Sequence, residues 1–94
     1  MMHYRLVYSE TARDLIRKLH PDLKLIVRAR LKRIADNPYL GKPLVKELSG
    51  YLSLKAKRYR IIYKIQEEGQ VVQIHYLGHR KDIYQLFNEQ ADIQ

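Results

Sequence analysis

The sequence has no cysteine and no tryptophan, and its 94 residues include only three prolines and four glycines. Without cysteine, neither a disulfide framework nor a thiolate metal site holds the fold together, which fits a reducing compartment. The longest apolar runs are a few residues, far below the roughly 20 that span a bilayer. The N-terminus also lacks the apolar stretch of a signal peptide. We therefore expect a cytoplasmic protein that has no membrane partner.

Hydrophobic residues make up 46% of the chain and charged residues 30%, proportions that are ordinary for a folded globular protein. A chain of this length has room for one core and not for two. We therefore predict a single domain over residues 1–94.

Acidic residues are scarce where basic residues are dense. The net charge is +8, and residues 17–64 hold fourteen Lys and Arg against three acids. Such an asymmetry is typical of a polyanion-binding surface, and nucleic acid is the polyanion whose affinity depends most on Lys and Arg. The alternative interpretation is a charge that only keeps the protein soluble.

The first half of the sequence has helical periodicity. Residues 3–8 are β-formers and predict an opening strand, after which Ser9 suits the N-cap of a first helix. His20-Pro21-Asp22 ends that helix, because proline disfavours helical geometry in the residue before it, and a proline in the first turn suits the start of a second helix. A second helix then carries apolar residues at helical spacing as far as Ala35 and ends at Asn37-Pro38. We expect the two helices to form an αα-hairpin.

The period changes from 3.6 to 2 after a loop that extends to residue 50. We predict three strands at residues 52–57, 59–65 and 71–77, the first with Ser53, Lys55 and Lys57 on an outer face. A hairpin turn at residues 67–70, a loop at 78–81 and a short C-terminal helix capped by Asp82 complete the chain. The order β-α-α-β-β-β-(α) predicts an α+β fold, with the helices on one face of a mainly antiparallel sheet.

Familiar catalytic signatures are missing, including the phosphate-binding loop, the nucleophile elbow and the zinc-protease helix motif. The four histidines lack a paired metal-ligand spacing. We therefore expect neither a metal nor another cofactor. What remains is a concentration of basic and aromatic residues in the C-terminal half of the chain.

Lys55, Arg60 and Arg80 lie on or beside the predicted meander, and we expect them to share one concave face. Cleavage of RNA without a metal needs a base for the ribose 2′-OH, cations for the charge growing on the phosphate, and an acid for the leaving 5′-oxygen. The planar fork of arginine matches phosphate oxygens, and tyrosine stacks on an unpaired base or exchanges a proton. We therefore predict an RNA substrate that the protein cuts.

Each of these residues also has a structural interpretation. Lys55 and Lys57 fit solvated strand residues, Arg60 fits a structural pair with a carboxylate, and His79 fits an exposed polar residue. Tyr84 suits packing and substrate stacking equally. Three further tyrosines at strand spacing are expected to face the core: Tyr59, Tyr63 and Tyr76.

Three stretches of the C-terminal half resemble the hallmark sequences of the RelE/ParE toxin superfamily. They are residues 51–55 (Tyr-Leu-Ser-Leu-Lys), 58–63 (Arg-Tyr-Arg-Ile-Ile-Tyr) and 78–84 (Gly-His-Arg-Lys-Asp-Ile-Tyr). Asn37-Pro38 and the loop that follows are similar to the linking loop of that superfamily. The resemblance covers nearly the whole chain in the same order of elements, and it implies a single RelE-like toxin domain.

The resemblance implies the toxin of a type II toxin–antitoxin pair, neutralised by a cognate antitoxin. RelE-like members enter the ribosomal A site, beside rRNA, and cut mRNA there without a metal, which inhibits translation. On this resemblance Arg60 and Arg80 hold the scissile phosphate, and Lys55 is the general base or a charge stabiliser. Tyr84 stacks on or orients the substrate base, and His79 precedes the second arginine as in many members. Other basic residues are expected to contact RNA: Lys57, Arg58, Lys81, Arg28, Lys32 and Arg33.

Two departures from the RelE-like pattern bear on the chemistry. Ser53 stands where the type member has a second basic strand residue, and the turn before Tyr59 is one residue shorter. Lys57 or Arg58 is a candidate to replace the missing charge, so the identity of the general base stays open. Ser53 is also a candidate for an inactivating change.

The superfamily also contains ParE-like members, which poison DNA gyrase and have no nuclease chemistry. Because all five residues of the RelE-like site are present, we predict the nuclease and keep the gyrase inhibitor as the alternative. A third hypothesis is an RNA-binding module without toxicity.

Overall fold

The computed structural model describes residues 3–85 and residue 87, and it has the predicted α+β architecture. The elements, in chain order, are β1 (Arg5–Tyr8), α1 (Glu10–Arg17), α2 (Pro21–Asp36), β2 (Lys42–Pro43), β3 (Leu52–Ala56), β4 (Tyr59–Gln66) and β5 (Val71–His79). Two short 3-10 helices, Pro38–Leu40 and Lys46–Leu48, lie on either side of β2. No helix among these residues is long and apolar enough to cross a membrane.

The sheet has five strands in the order β1-β5-β4-β3-β2. Strand β1 runs parallel to β5, and the three other pairings are antiparallel. The meander of β3, β4 and β5 was predicted, but β2 was not. Strand β2 has only two residues and includes Pro43, so it shows no alternation, and proline is tolerated there because the strand lies at the sheet edge.

Both helices begin where the sequence predicts. The Ser9 hydroxyl accepts a hydrogen bond from the Ala12 amide at 3.0 Å, which caps α1. Helix α2 begins at Pro21, and the His20 ring accepts a hydrogen bond from the Asp22 amide at 3.2 Å. The capping role of His20 was not predicted, because histidine is not a preferred N-cap residue.

The main core lies between the αα-hairpin and one face of the sheet. Val27 and Ile34 of α2 are fully buried against the central strands. Tyr63, predicted in the core, is also fully buried, and its hydroxyl donates to the Pro38 carbonyl at 2.7 Å and accepts from the Gly41 amide at 2.9 Å. This tyrosine therefore fixes the loop after α2 to the sheet. Tyr59 is half-buried against the same core.

A second, smaller core lies on the opposite face of the sheet. It consists of buried Ile62, Ile83 and Phe87, with Tyr76 and Tyr84 packed against it. Residues 83–85 are helical, where a C-terminal helix was predicted, and the rest of that predicted helix apart from Phe87 lies outside the described residues. Because the segment after β5 covers this face, Tyr76 packs on the second core and not on the main one.

Three local predictions about the strands were wrong. Ser53 does not face outward: it is 1% exposed, because the second core covers its face. Lys57 is not on β3 but in the two-residue turn to β4, with a φ of +57°, a region that lysine rarely adopts. Strand β5 continues through Gly78 and His79, which were predicted in a loop.

Candidate functional site

The sheet face opposite the helices carries a row of three residues from three strands. Lys55 of β3 pairs with Arg60 of β4, and Arg60 pairs with Gly78 of β5. Directly opposite residues of antiparallel strands point to the same face. The alternate positions Leu54 and Ile61 pack on the main core, so this row lies on the other side of the sheet.

Ser53 connects two of the predicted site residues. The Arg60 guanidinium donates a hydrogen bond from Nη1 to Ser53 Oγ at 3.1 Å, and the Tyr84 hydroxyl donates to the same oxygen at 3.3 Å. Ser53 is buried, whereas Arg60 and Tyr84 are only half-buried. One buried hydroxyl therefore orients a cation and a phenol that both reach the surface.

Arg80 lies at the same end of the sheet as Arg60. It follows Gly78, the register partner of Arg60, by two residues, and its side chain is exposed. Its backbone amide donates to the Arg58 carbonyl at 2.7 Å, which attaches the end of β5 to the β3–β4 turn. The structure therefore gathers Lys55, Arg60 and Arg80 at one end of the sheet.

His79 points away from this group. It pairs with Tyr59, whose ring packs on the main core, and the two ring centroids are 5.8 Å apart. Its Nδ1 accepts a hydrogen bond from the Lys81 amide at 3.3 Å. The ring thus lies on the helix side of the sheet and shapes the turn that carries Arg80.

The predicted RNA-contacting residues form two separate groups. Lys57, Arg58 and Lys81 are exposed at the end of the sheet where Arg80 lies. The helical group, Arg28, Lys32 and Arg33, is exposed on α2, which covers the other face of the sheet. The sheet therefore separates the helical group from Arg60.

Arg28 borders an open groove between the helices and β1. This groove has a volume of about 410 Å³ and is shared with Tyr8 and Arg13. Burial raises the pKa of Tyr8, and the nearby charges of Arg13 and Arg28 oppose that rise. The basic surface of the helices therefore includes a concave part.

The cations of the sheet face have no carboxylate partner among residues 3–85 and 87. Among these residues Arg17 and Asp14 form an ion pair, and His3 and His20 lie beside Asp36 and Asp22, all remote from Arg60 in the fold. The structural ion pair considered for Arg60 is therefore not formed within the described residues. Positive charges without a carboxylate partner attract phosphate groups.

An apolar groove of about 340 Å³ borders the site and was not predicted. Its lining residues are Lys42, Pro43, Leu44, Val45, Leu48 and Tyr84. Val45 is 71% exposed although it is apolar. Residues 42–48 form no long element whose periodicity would reveal a shared face, so the sequence carried no signal for this groove.

The histidines described by the structure do not assemble with other possible ligands. Within the described residues, no group of three or more His, Cys, Asp or Glu has an arrangement that could hold a metal ion. His75 packs edge-on against Tyr51 at 5.2 Å between ring centroids, and burial lowers its pKa, with the nearby Lys64 charge adding to the effect.

Comparison with known proteins adds to this geometry. A family model described as the ParE toxin of a type II toxin–antitoxin system, parDE, matches residues 6–84. Toxin RelG of Mycobacterium tuberculosis is 36% identical to this chain over 85 residues, which are 88% of this chain and 98% of that relative.

Solved structures have the same fold. A chain of the toxin–antitoxin complex RelBE2 from Mycobacterium tuberculosis is similar with a TM-score of 0.74 and 32% identity, covering 83% of this chain and 99% of that chain. A mutant of the E. coli toxin RelE in the free state is similar with a TM-score of 0.76 at 20% identity, covering 95% and 98%. The second likeness concerns the fold alone, and both confirm the predicted RelE-like architecture.

Proposed function

The chain belongs to the ParE toxin family of the RelE/ParE superfamily, and from this premise we propose that it is a ribosome-dependent endoribonuclease that cuts mRNA. As a member of this family it is the toxin of a type II toxin–antitoxin system. The main support for cleavage of mRNA is the arrangement of the positively charged side chains. Lys55, Arg60 and Arg80 gather at one end of the sheet, beside Tyr84, with no carboxylate partner among the described residues.

The proposed reaction is attack of a ribose 2′-oxygen on the adjacent phosphorus. The bond from phosphorus to the 5′-oxygen breaks, which leaves a 2′,3′-cyclic phosphate and a 5′-hydroxyl. One proton leaves the 2′-OH and one reaches the departing 5′-oxygen. The nucleophile belongs to the substrate, so the protein supplies position, positive charge and proton transfer.

Arg60 and Arg80 supply the positive charge in this mechanism. A guanidinium has five N–H donors, and the single bond from Arg60 to Ser53 leaves the others for phosphate oxygens. Charge that grows on the phosphate in the transition state is stabilised by donors fixed in advance. Lys55, directly opposite Arg60, is placed to stabilise the same charge or to take the 2′-OH proton.

Tyr84 supplies the contact with the base. Its hydroxyl is bound to Ser53, and its ring borders the apolar groove of residues 42–48. A ring in this position stacks on an unpaired nucleobase next to the scissile phosphate. Lys57, Arg58 and Lys81 extend the positive surface around this site, and the helical group Arg28, Lys32 and Arg33 contacts RNA on the other side of the protein.

The proposed partners are a cognate antitoxin, the ribosomal A site with its rRNA, and mRNA. The RelBE2 relative from Mycobacterium tuberculosis was solved as a toxin–antitoxin complex. We expect the antitoxin to be acidic or amphipathic where it meets the basic surface, and to cover Arg60 and Arg80 or displace the segment that carries Tyr84. These partners place the protein in the cytoplasm.

The second candidate function is inhibition of DNA gyrase without nuclease activity. The family model that matches residues 6–84 is described by the name ParE, which favours this candidate. Inhibition of gyrase requires no cleavage site. An RNA-cutting site, in contrast, requires cations beside a group that contacts the base, and Lys55 and Arg60 with Tyr84 nearby have this arrangement. We therefore rank the nuclease first.

Primer extension on a defined mRNA tests the proposal. A translating extract is incubated with and without the purified protein, and new 5′ ends are mapped. Ends inside the reading frame that disappear without ribosomes, and with Arg60→Ala, are the expected result. An intact message together with inhibited DNA supercoiling would establish the gyrase inhibitor instead.

A further inference from the structure

We propose that Ser53 is a positioning residue of the nuclease site, because its buried hydroxyl holds Arg60 and Tyr84 in one fixed arrangement. This inference rests on the proposed function. It concerns the residue that replaces a basic side chain of the RelE-like pattern, for which inactivation was the other interpretation.

Ser53 lies on a strand that is paired on both edges, and its side chain is buried. Ser53 pairs with Ile62 of β4 and with Lys42 of β2, so strands flank it on both edges. The side chain is 1% exposed, and Ile62 beside it is fully buried. An oxygen in this position has no access to bulk water, and its hydrogen-bond partners are therefore protein groups.

Ser53 uses its accepting capacity on the two side chains that face the substrate. A hydroxyl has two lone pairs, and Ser53 Oγ accepts from Arg60 Nη1 at 3.1 Å and from Tyr84 Oη at 3.3 Å. Because the acceptor is neutral, Arg60 keeps its full positive charge for a phosphate. A carboxylate at the same place would hold the guanidinium more firmly but would cancel that charge.

The arrangement acts on the reaction through preorganisation. An arginine side chain without a fixed partner samples many rotamers. Substrate binding would then have to restrict those rotamers, at a cost in conformational entropy. With Ser53 in place, the orientation of Arg60 relative to Tyr84 is set in the folded protein, before RNA binds. Displacement of a positioning group by about 1 Å is enough to reduce a rate by roughly 10²-fold.

This role also accounts for the absence of a basic residue at position 53. A lysine there would bring a buried positive charge next to the half-buried Arg60, at the cost of desolvation and repulsion. Lys55 supplies the exposed cation on the same strand, two residues away. Ser53 is therefore a neutral hydrogen-bond acceptor shared by Arg60 and Tyr84, and not a lost catalytic group.

The test compares Ser53→Ala, Ser53→Thr and Tyr84→Phe with the wild-type toxin in the ribosome-dependent cleavage assay. Ser53→Ala is expected to lower kcat by about tenfold or more, with a smaller change in KM and only a small decrease in melting temperature. Ser53→Thr keeps the hydroxyl and is expected to restore most of the rate. Ser49→Ala, which changes an exposed serine, is the matched control and should cleave like the wild type.

A double variant separates positioning from a general effect on folding. If Ser53 acts through Tyr84 and Arg60, Ser53→Ala should reduce kcat less in a Tyr84→Phe background than in the wild type. An undiminished loss in that background, or a wild-type kcat for Ser53→Ala, would overturn the proposal. So would a gain of activity in Ser53→Lys, which is the result expected of an inactivating serine.

Two further measurements keep the inference testable. If Ser53→Ala does not fold, Ser53→Cys keeps nearly the same volume with only a weak acceptor, and it must show the same loss. If the wild-type protein cuts no RNA, the proposed function fails, and the hydrogen bond from Arg60 to Ser53 is examined by NMR of arginine side chains. Ser53→Ala should then speed solvent exchange of the Arg60 guanidinium protons, and unchanged exchange would refute the positioning contact itself.

Discussion

Lys55 and Arg60 face each other across the β3–β4 hairpin, on the side of the sheet opposite α1 and α2. Two like charges directly opposite each other destabilise an antiparallel pair. A protein that only needed to fold would gain from a neutral or acidic residue at one of these positions. The pairing is therefore best understood as a site prepared for an anion.

Replacing Arg60 should abolish cleavage with little effect on folding. Arg60→Ala removes the guanidinium that stabilises the transition state in the proposed mechanism, and we expect kcat to fall by about 10²–10³-fold. Arg60→Lys should recover only part of the rate, because an ammonium keeps the charge without the planar fork. Rates of mRNA cleavage and urea unfolding of the same preparations give the two quantities. Lys18→Ala, which removes one exposed positive charge at the end of α1, is the control, and an equal loss there would show that only net charge matters.

Arg80 and His79 are neighbours in sequence but should behave differently. Arg80 is exposed at the end of the sheet, whereas the His79 ring lies beside Tyr59 on the helix side. Arg80→Ala should therefore lose toxicity and cleavage, with a change in unfolding free energy within about 0.5 kcal/mol. His79→Asn, which keeps an acceptor for the Lys81 amide, should cleave within about threefold of the wild type, since the row of cations is unchanged. A loss as large as that of Arg80→Ala would make the histidine a proton-transfer group after all.

The hydroxyl of Tyr63 should matter for stability and not for chemistry. Tyr63→Phe leaves the Gly41 amide and the Pro38 carbonyl without their partner in a buried place, which should cost about 1–3 kcal/mol of unfolding free energy. Gly41→Ala should also destabilise the protein, because the added methyl group would collide with the same hydroxyl. Urea denaturation measures both. Tyr59→Phe is the control, since the described residues give its hydroxyl no hydrogen bond, and equal losses in the two tyrosine variants would contradict this account.

The basic helix residues should affect binding more than catalysis. Arg28, Lys32 and Arg33 are exposed on the layer that covers the opposite face of the sheet. Changing all three to Gln should weaken ribosome binding and reduce its salt dependence, because fewer counterions are released. The rate at saturating ribosome concentration should stay near that of the wild type. A fall in that saturated rate would mean that the helical surface orients the substrate.

Periodicity was enough to predict most of the fold. Ser9 and Pro21 mark helix starts by local chemistry, and the alternating residues after position 51 mark the meander. Ser53 and Tyr76 show the limit of such reasoning. Alternation indicates that two faces exist, but which face is covered depends on the segment that contains Ile83 and Phe87, far away in sequence.

The site shows the same division between local and long-range information. Arg60 and Arg80 were identified from residue type and family resemblance, which the strand register then placed at one end of the sheet. The contact from Ser53 to Tyr84 joins residues 31 positions apart and follows only from the packing of the last segment on the sheet. His79 was grouped with the arginines because it is adjacent to one of them, although successive residues of a strand point to opposite faces.

Glu67 should make the folded state sensitive to acid. Hydrogen bonds from Tyr39 and Tyr4 lower the pKa of this carboxyl below its ordinary value, and the bond from the Tyr4 hydroxyl is 2.8 Å long. A folded-state pKa below the unfolded one stabilises the protein fully at pH values above the unfolded pKa, and this contribution is lost as the pH falls through the folded value. Glu67→Gln should therefore be less stable at neutral pH and show a flatter decline below about pH 4.5.

The hydrogen bond between Tyr39 and Glu67 predicts how the stability of the folded state changes at alkaline pH, where stability is lost as the pH rises. The hydrogen bond to Glu67 raises the pKa of Tyr39 to about 12, so the folded state favours the protonated phenol. The contribution of Tyr39 to the free energy of unfolding is complete at pH values below the ordinary tyrosine pKa. It is lost as the pH rises through the raised pKa. Urea unfolding of the wild type and Glu67→Gln, at acid and at alkaline pH, measures both effects, with Glu68→Gln as the neighbouring control. If Glu67→Gln and Glu68→Gln show the same dependence of stability on pH, the hydrogen bonds of Glu67 with Tyr4 and Tyr39 do not cause it. The two tyrosines then serve only to pack the turn after β4.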